Sequence, residues 1–143
     1  EAREIARVFS GMARDIALGS LPPQRPACVL AGGETTVTIK GNGKGGRNQE
    51  MALSFLQALE ADPAGIENIF FLSGATDGND GPTDAAGAFA SHAVLEAGKK
   101  AGLDINEYLD RNDSYTYFDA AGHLFKPGPT NTNVCDIQIL IIR

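Results

Sequence analysis

The chain has 143 residues, which argues for one domain able to bury a core of its own. Apolar residues make up 43%, and no run approaches the ~18 that a membrane span needs, so disorder and a transmembrane helix are excluded. The net charge is −6, lysines and arginines are scattered, and tryptophan is absent, which argues against a nucleic-acid surface.

In chain order, Ile5, Val8, Phe9, Met12 and Ile16 recur at helical spacing from Glu1 to Leu18, with Gly19 as the stop. This start lacks the charged stub and apolar run of a signal peptide. Pro22, Pro23 and Pro26 make a stiff connector. Residues 1–26 are therefore expected to lead from a preceding domain, and 27–143 to form the core of a single domain. Ala27 to Ala31 reads as a strand, Gly32-Gly33 as a turn and Thr35 to Lys40 as a β-branched strand, together a hairpin. Gly41 to Gly46 is a loop. Arg47 to Ala61 is a helix with Met51, Phe55, Leu56 and Leu59 on one side and Pro63 beyond its end.

Asn68 to Ser73 is a short apolar strand expected to be buried on both faces. Gly74 to Thr83 is a polar loop. The alanine-rich stretch Asp84 to Ala101 predicts a helix capped by Asp84. Shorter helices are expected over Ile105–Asp110, capped by Asp104, and Ser114–Ala121, capped by Asp113. Tyr115, Tyr117 and Phe118 should pack the latter against the sheet. Lys126 to Asn133 is a loop, and Val134 to Ile142 a strongly β-prone closing strand. Strands alternating with helices imply an α/β fold: a layered, mixed, partly parallel sheet flanked by helices.

Cys28 and Cys135 sit in apolar, strand-like segments and are expected as buried free thiols. No Cys/His group has zinc spacing, and His92 and His123 stand alone, so a cytoplasmic setting is the default.

Glycine marks the chemistry. Ten of 17 glycines fall in two stretches, six from Gly32 to Gly46 and four from Gly74 to Gly87. The first contains Gly41-Asn42-Gly43-Lys44-Gly45-Gly46-Arg47-Asn48, ahead of a helix. Backbone N–H groups there and a helix N-terminus make an anion site, to which Lys44 and Arg47 add full charges. Gly41, Gly43 and Gly46 match the dinucleotide fingerprint G-x-G-x-x-G, but a hairpin precedes it and no acid ends the next strand. The phosphate-loop pattern fails too, since Arg47-Asn48 replaces its Lys-Ser/Thr. The competing reading is a glycine-rich turn with solvated charges.

The second stretch carries Thr76-Asp77-Gly78-Asn79-Asp80-Gly81-Pro82-Thr83-Asp84 past a strand end. Asp77, Asp80 and Asp84 offer hard oxygens suited to Mg²⁺; alternatively they form turns and a helix cap. A third segment, Pro127 to Asn133, offers hydroxyl and amide groups to a polar ligand, or is only a turn before the last strand.

The series Gly45-Gly46-Arg47-Asn48-Gln49-Glu50, then Thr76 to Ala88, then Asn112-Asp113-Ser114-Tyr115, then Gly128-Pro129-Thr130-Asn131-Thr132-Asn133-Val134 resembles the MOFRL domain. That is the C-terminal domain of class II glycerate kinases, some of which carry the older label hydroxypyruvate reductase. The resemblance runs from about Cys28 to Ile142. It implies phosphoryl transfer from ATP to glycerate, with Mg²⁺, in a cleft shared with a larger N-terminal domain, so that this domain alone would be inactive. It further implies that Arg47, Asp77 and Asp80 are catalytic. By the same resemblance, Asp77 and Asp80 contact metal or a hydroxyl, and Thr130, Asn131 and Asn133 bind substrate; the residues themselves add Gly43, Lys44, Gly45, Gly46 and Asn48 as expected phosphate binders and Asp84 as a third expected metal ligand beside Asp77 and Asp80. The rival expectations are a reductase using NAD(P)H and a non-catalytic interaction module.

Overall fold

The computed structural model describes residues 1–143. Helix α1 (Ala2–Ala17) precedes strand β1 (Ala27–Gly33) and helix α2 (Arg47–Ala61). Strands β2 (Ile69–Ala75) and β3 (Gly87–Ser91) follow, then helices α3 (His92–Lys100), α4 (Ile105–Asp110) and α5 (Ser114–Ala121). A two-residue strand β4 (Leu124–Phe125) and the long β5 (Asp136–Ile142) close the chain. No helix is long and apolar enough to cross a membrane.

The sheet has the order β1-β5-β2-β3-β4, and every pair in it is antiparallel. The expectation of a partly parallel sheet is therefore corrected. The last strand inserts between β1 and β2, with Leu140 opposite both Val29 and Phe71. Because β5 runs against both neighbours, β1 and β2 finish at the same end of the sheet. At that end Asp136, the first residue of β5, lies between Gly33 and Ala75.

Other expectations change as well. Gly32 and Gly33 are not a turn: they extend β1 and pair with Ile137 and Asp136. Thr35 to Lys40 joins no ladder, because its polar groups are taken by Glu1, Ala2 and Asn112 instead. The expected helix over 84–101 divides into a strand and a shorter helix. Ala88 and Ala90 are fully enclosed between β2 and α2, where only small side chains fit, and tertiary packing overrides the helix propensity of alanine. Asp84 consequently caps nothing; Ser91 stands at the start of α3.

The helices lie on one face of the sheet. Central among them is α2, with Met51, Leu53, Phe55 and Leu56 completely buried beneath α1 and above the strands. Phe55 stacks on Phe71 of β2 with ring centroids 4.3 Å apart. Ala2, Ala6, Phe9, Ala13 and Ile16 of α1 belong to this same core, so the first helix is an integral part of the domain. Tyr117 and Phe118 are buried as expected, chiefly among helices. The other sheet face carries no helix, which leaves Leu30, Phe89 and Ile141 exposed. Cys28 belongs to that face and Cys135 to a loop; both thiols are free and exposed, which corrects their expected burial.

Candidate active-site cleft

The glycines of the first loop let it approach the rest of the chain closely. A Cβ at Gly41 would overlap the backbone of Arg111, one at Gly43 the Cβ of Asp113, and one at Gly45 the Oγ of Ser114. The loop lies flat on the corner between α4 and α5. Its amides are bonded there: Lys40 and Gly41 donate to Asn112 Oδ1 at 2.8 and 3.0 Å, Gly43 to Arg111 O at 2.9 Å and Lys44 to Asp113 Oδ1 at 3.0 Å. The N–H groups of Gly43 and Lys44 are thus spent on the α4–α5 corner, while Gly43, Gly45 and Gly46 line the candidate cleft. The Lys44 ammonium rests 3.9 Å from the centre of the Tyr115 ring.

The N-terminus of α2 already holds an anion, the carboxylate of Asp80. Gly46 is extended and has no side chain to cap the helix, so Asp80 reaches in from the β2–β3 loop. It accepts from the N–H groups of Asn48 at 3.1 Å and Gln49 at 2.9 Å, and from the amide side chains of the same two residues at 3.3 and 3.0 Å. A Cβ at Gly46 would overlap this carboxylate, which is the physical reason for glycine there. Burial pushes the Asp80 carboxyl above its ordinary value, while the donors of Gln49 and Asn48 pull it back. Asn48 Oδ1 in turn accepts from Ser73 Oγ at 2.6 Å. Four donors on one enclosed carboxylate make it a cap of the α2 start.

Arg47, the next residue, differs. Its Nε and Nη2 grip Asp136 at 2.6 and 2.9 Å in a two-pronged fork, and Nη1 lies 3.0 Å from Glu34 Oε1. The Asp136 side chain is 1% exposed, that of Arg47 33% and that of Glu34 59%. Hydrogen bonding to Asp136 raises the guanidinium further above its already high range, so it is always charged. Neither Asp136 nor Glu34 stands out in the sequence, because each acts through a partner far away along the chain.

The second and third segments clasp each other. Thr130 N–H donates to Asp77 O at 3.2 Å, Asn133 Nδ2 to Asp77 Oδ2 at 3.3 Å and Val134 N–H to Thr76 Oγ1 at 2.8 Å. Gly78 takes a positive φ of 95° and packs against the carbonyl of Gly128, so a side chain is excluded. Asn131 is left-handed and exposed at the tip. Asp84 lies apart, accepting from Tyr115 Oη at 2.7 Å and Lys126 Nζ at 3.2 Å; these bonds, with Tyr115 first, hold its carboxyl below its ordinary value. Asp77, Asp80 and Asp84 therefore do not converge, and no group of three His, Cys, Asp or Glu side chains is placed to hold a metal ion.

Between the 35–39 segment, the glycine loop and the Asp80–Pro82 turn opens a cleft of about 440 Å³. Arg47 lines it, together with Thr35, Gly46 and Asp80. Its floor is a buried polar junction, for which the sequence motifs supply Glu50 and Asn112 without a role and do not supply Arg3. Asn112, with a positive φ of 54°, donates to Glu50 Oε2 at 2.9 Å and Thr38 O at 3.3 Å while accepting from two loop amides. Glu50 also accepts from Arg3 Nε at 2.7 Å. This junction ties α1, α2, the α4–α5 corner and the 38–41 loop to one point, and so fixes the cleft.

Residues 27–136 match the model of the MOFRL family. A D-glycerate 2-kinase from Thermotoga maritima is 45% identical over 142 residues, 99% of this chain and 33% of that protein. The human glycerate kinase is 47% identical over 121 residues, 82% of this chain and 23% of that one. A putative hydroxypyruvate reductase from Agrobacterium vitis is 44% identical over 144 residues, 99% of this chain and 32% of its own length. The crystal structure of a Thermotoga maritima glycerate kinase (EC 2.7.1.31) superposes with a TM-score of 0.93 at 44% identity, over all of this chain and 34% of that one. The chain thus spans a third or less of the relatives it matches, and within that span it belongs to the MOFRL family.

Proposed function

We propose that this chain is the MOFRL part of a glycerate 2-kinase, contributing one wall of the cleft in which ATP phosphorylates glycerate. The observation that carries the reading is the 45% identity to a D-glycerate 2-kinase over 99% of the chain. The cleft adds a chemical reason. Phosphoryl transfer needs positioning and charge stabilisation more than covalent help from the protein. Arg47 supplies a permanent positive charge whose orientation is set by Asp136. In this reading its remaining face meets either the carboxylate of glycerate or the transferring phosphoryl group. Asp77, Thr130 and Asn133, which bond one another but do not line this cleft, are read as a separate polar surface that positions the ligand, with Asn131 at its tip. Asp80 and Asn48 act through the geometry of the α2 start, and Gly45 and Gly46 by letting the loop and Asp80 pack so closely.

The carboxylates of this chain do not fit a magnesium site, since Asp80 is saturated by N–H donors and Asp84 is bonded to Tyr115 and Lys126. A larger N-terminal domain, the size of the relatives being three times that of this chain, completes the cleft. Two unpaired exposed thiols support the cytoplasm as its setting.

The alternative of a nicotinamide-dependent reductase loses its structural motive. The G-x-G-x-x-G run follows no strand, and its amides serve the chain's own α4–α5 corner. The test is an assay of the full-length protein carrying this chain. ATP-dependent phosphorylation of glycerate is expected, with no oxidation of NADH or NADPH on hydroxypyruvate. Reductase activity without kinase activity would overturn the reading.

A further inference from the structure

We propose that Glu34 is a displaceable carboxylate, which holds the Nη1 of Arg47 until a small anion takes its place. The inference rests on the reading of Arg47 as a substrate-facing group, and it goes beyond it by assigning a competitor within the chain.

Arg47 meets two carboxylates of opposite character. Asp136 is enclosed, belongs to the first ladder position of β5 and accepts two bonds at once. Removing it from the guanidinium would leave a buried charge uncompensated. Glu34 follows the end of β1, is largely exposed and makes one contact, at 3.0 Å. Exposed ion pairs of this kind change a binding constant only a few-fold, so displacing Glu34 costs little. What remains after displacement is a cleft-lining guanidinium held by Asp136 through Nε and Nη2, with Nη1 freed. The neighbouring Thr35 lines the same cleft, and its enclosed Oγ1 has no hydrogen-bond partner.

The ligand class is a carboxylate or phosphoryl oxygen, since both present planar or tripodal oxygens that an arginine binds in the manner Glu34 does now. Glycerate carries the first and ATP the second. Glu34 thus sets the affinity of the cleft: it keeps Arg47 oriented when empty and weakens capture of whichever anion arrives.

The experiment measures binding of inorganic phosphate and of D-glycerate, each alone, to the full-length protein by calorimetry at low salt. Glu34→Gln should bind one of the two about three- to tenfold more tightly than the parent, and which of them gains identifies the group that Arg47 receives. The gain should vanish when Arg47→Ala is added to Glu34→Gln, which separates this site from phosphate or glycerate bound elsewhere. Unchanged or weaker binding of both anions in Glu34→Gln, or a gain that survives Arg47→Ala, overturns the proposal. Kinase activity is read in parallel. An active parent with no gain in Glu34→Gln discards the displacement and keeps the proposed function. A gain in a protein that phosphorylates no glycerate discards the function and keeps the displacement.

Discussion

Asp80 and Arg47 sit 33 residues apart in sequence and flank the same helix start, yet they have opposite amounts of chemistry left. Asp80 is enclosed and receives four N–H donors, so its charge is fully used in holding α2 to the β2–β3 loop. Arg47 is one-third exposed and has two of its nitrogens fixed, while the third touches only a solvated carboxylate. Both residues belong to polar motifs that look functional. The difference teaches that a motif residue is available to a ligand only to the extent that its hydrogen-bonding groups are not already satisfied by the fold.

The largest effect should come from removing the saturated member. Asp80→Ala orphans the N–H groups of Asn48 and Gln49 and the Asn48 amide side chain in a buried place, while Gln49 Nε2 keeps Asp80 O and Thr83 Oγ1, and should lower unfolding free energy by about 3–4 kcal/mol. Urea denaturation monitored by circular dichroism checks it. A loss under 1 kcal/mol would mean that Asp80 is a ligand-facing group after all.

A smaller effect is expected where the glycine loop meets the α4–α5 corner. Gly43→Ala places a methyl against Asp113 and the carbonyl of Arg111, forcing the loop away. A loss of about 1–3 kcal/mol should follow. If instead Gly43→Ala leaves the melting temperature intact and lowers only phosphate binding, the loop is a ligand cradle and the contrast drawn here is wrong.

Tyr117 sharpens the comparison from a third side, being enclosed like Asp80 but without any partner for its hydroxyl. Burial pushes its phenol up to about 12 from an ordinary 10. The unfolded chain therefore ionises first, and stability is retained below pH 10 and lost as pH rises from 10 towards 12. The parent should lose about 1–2 kcal/mol more across that window than Tyr117→Phe does, as read from denaturation midpoints. Identical slopes would show that the hydroxyl is solvated.

Much of this architecture is legible in the sequence where local rules and packing agree. The helix over Arg47–Ala61 begins and ends where Gly46 and the approach to Pro63 put it. Asp104 caps α4 by bonding the N–H groups of Asn106 and Glu107, as its place before Ile105 implies. The rest fails where distant partners decide. Ala88 and Ala90 form a strand because β2 and α2 enclose them, and the insertion of β5 between β1 and β2 makes the sheet antiparallel. Within the site, the sequence picks out Arg47 and Asp80 but not their states of use. Those depend on Asp136, 89 positions from Arg47, and on Gln49 and Asn48, 31 and 32 positions from Asp80. Asn112 and Glu50 stand in motifs, but their junction with each other and with Arg3 is not read for the same reason.

The central claim is that Arg47 faces the reacting ligands while Asp136 holds it in place, and Arg47→Lys in the full-length protein tests it most directly. Lysine keeps the charge and loses the planar fork. Steady-state kinetics with ATP and glycerate should show kcat reduced by about 10²–10³-fold in a protein that still folds cooperatively. Turnover within about threefold of the parent, with KM also unchanged, would contradict the account and leave the Arg47–Asp136 pair as a brace between α2 and β5.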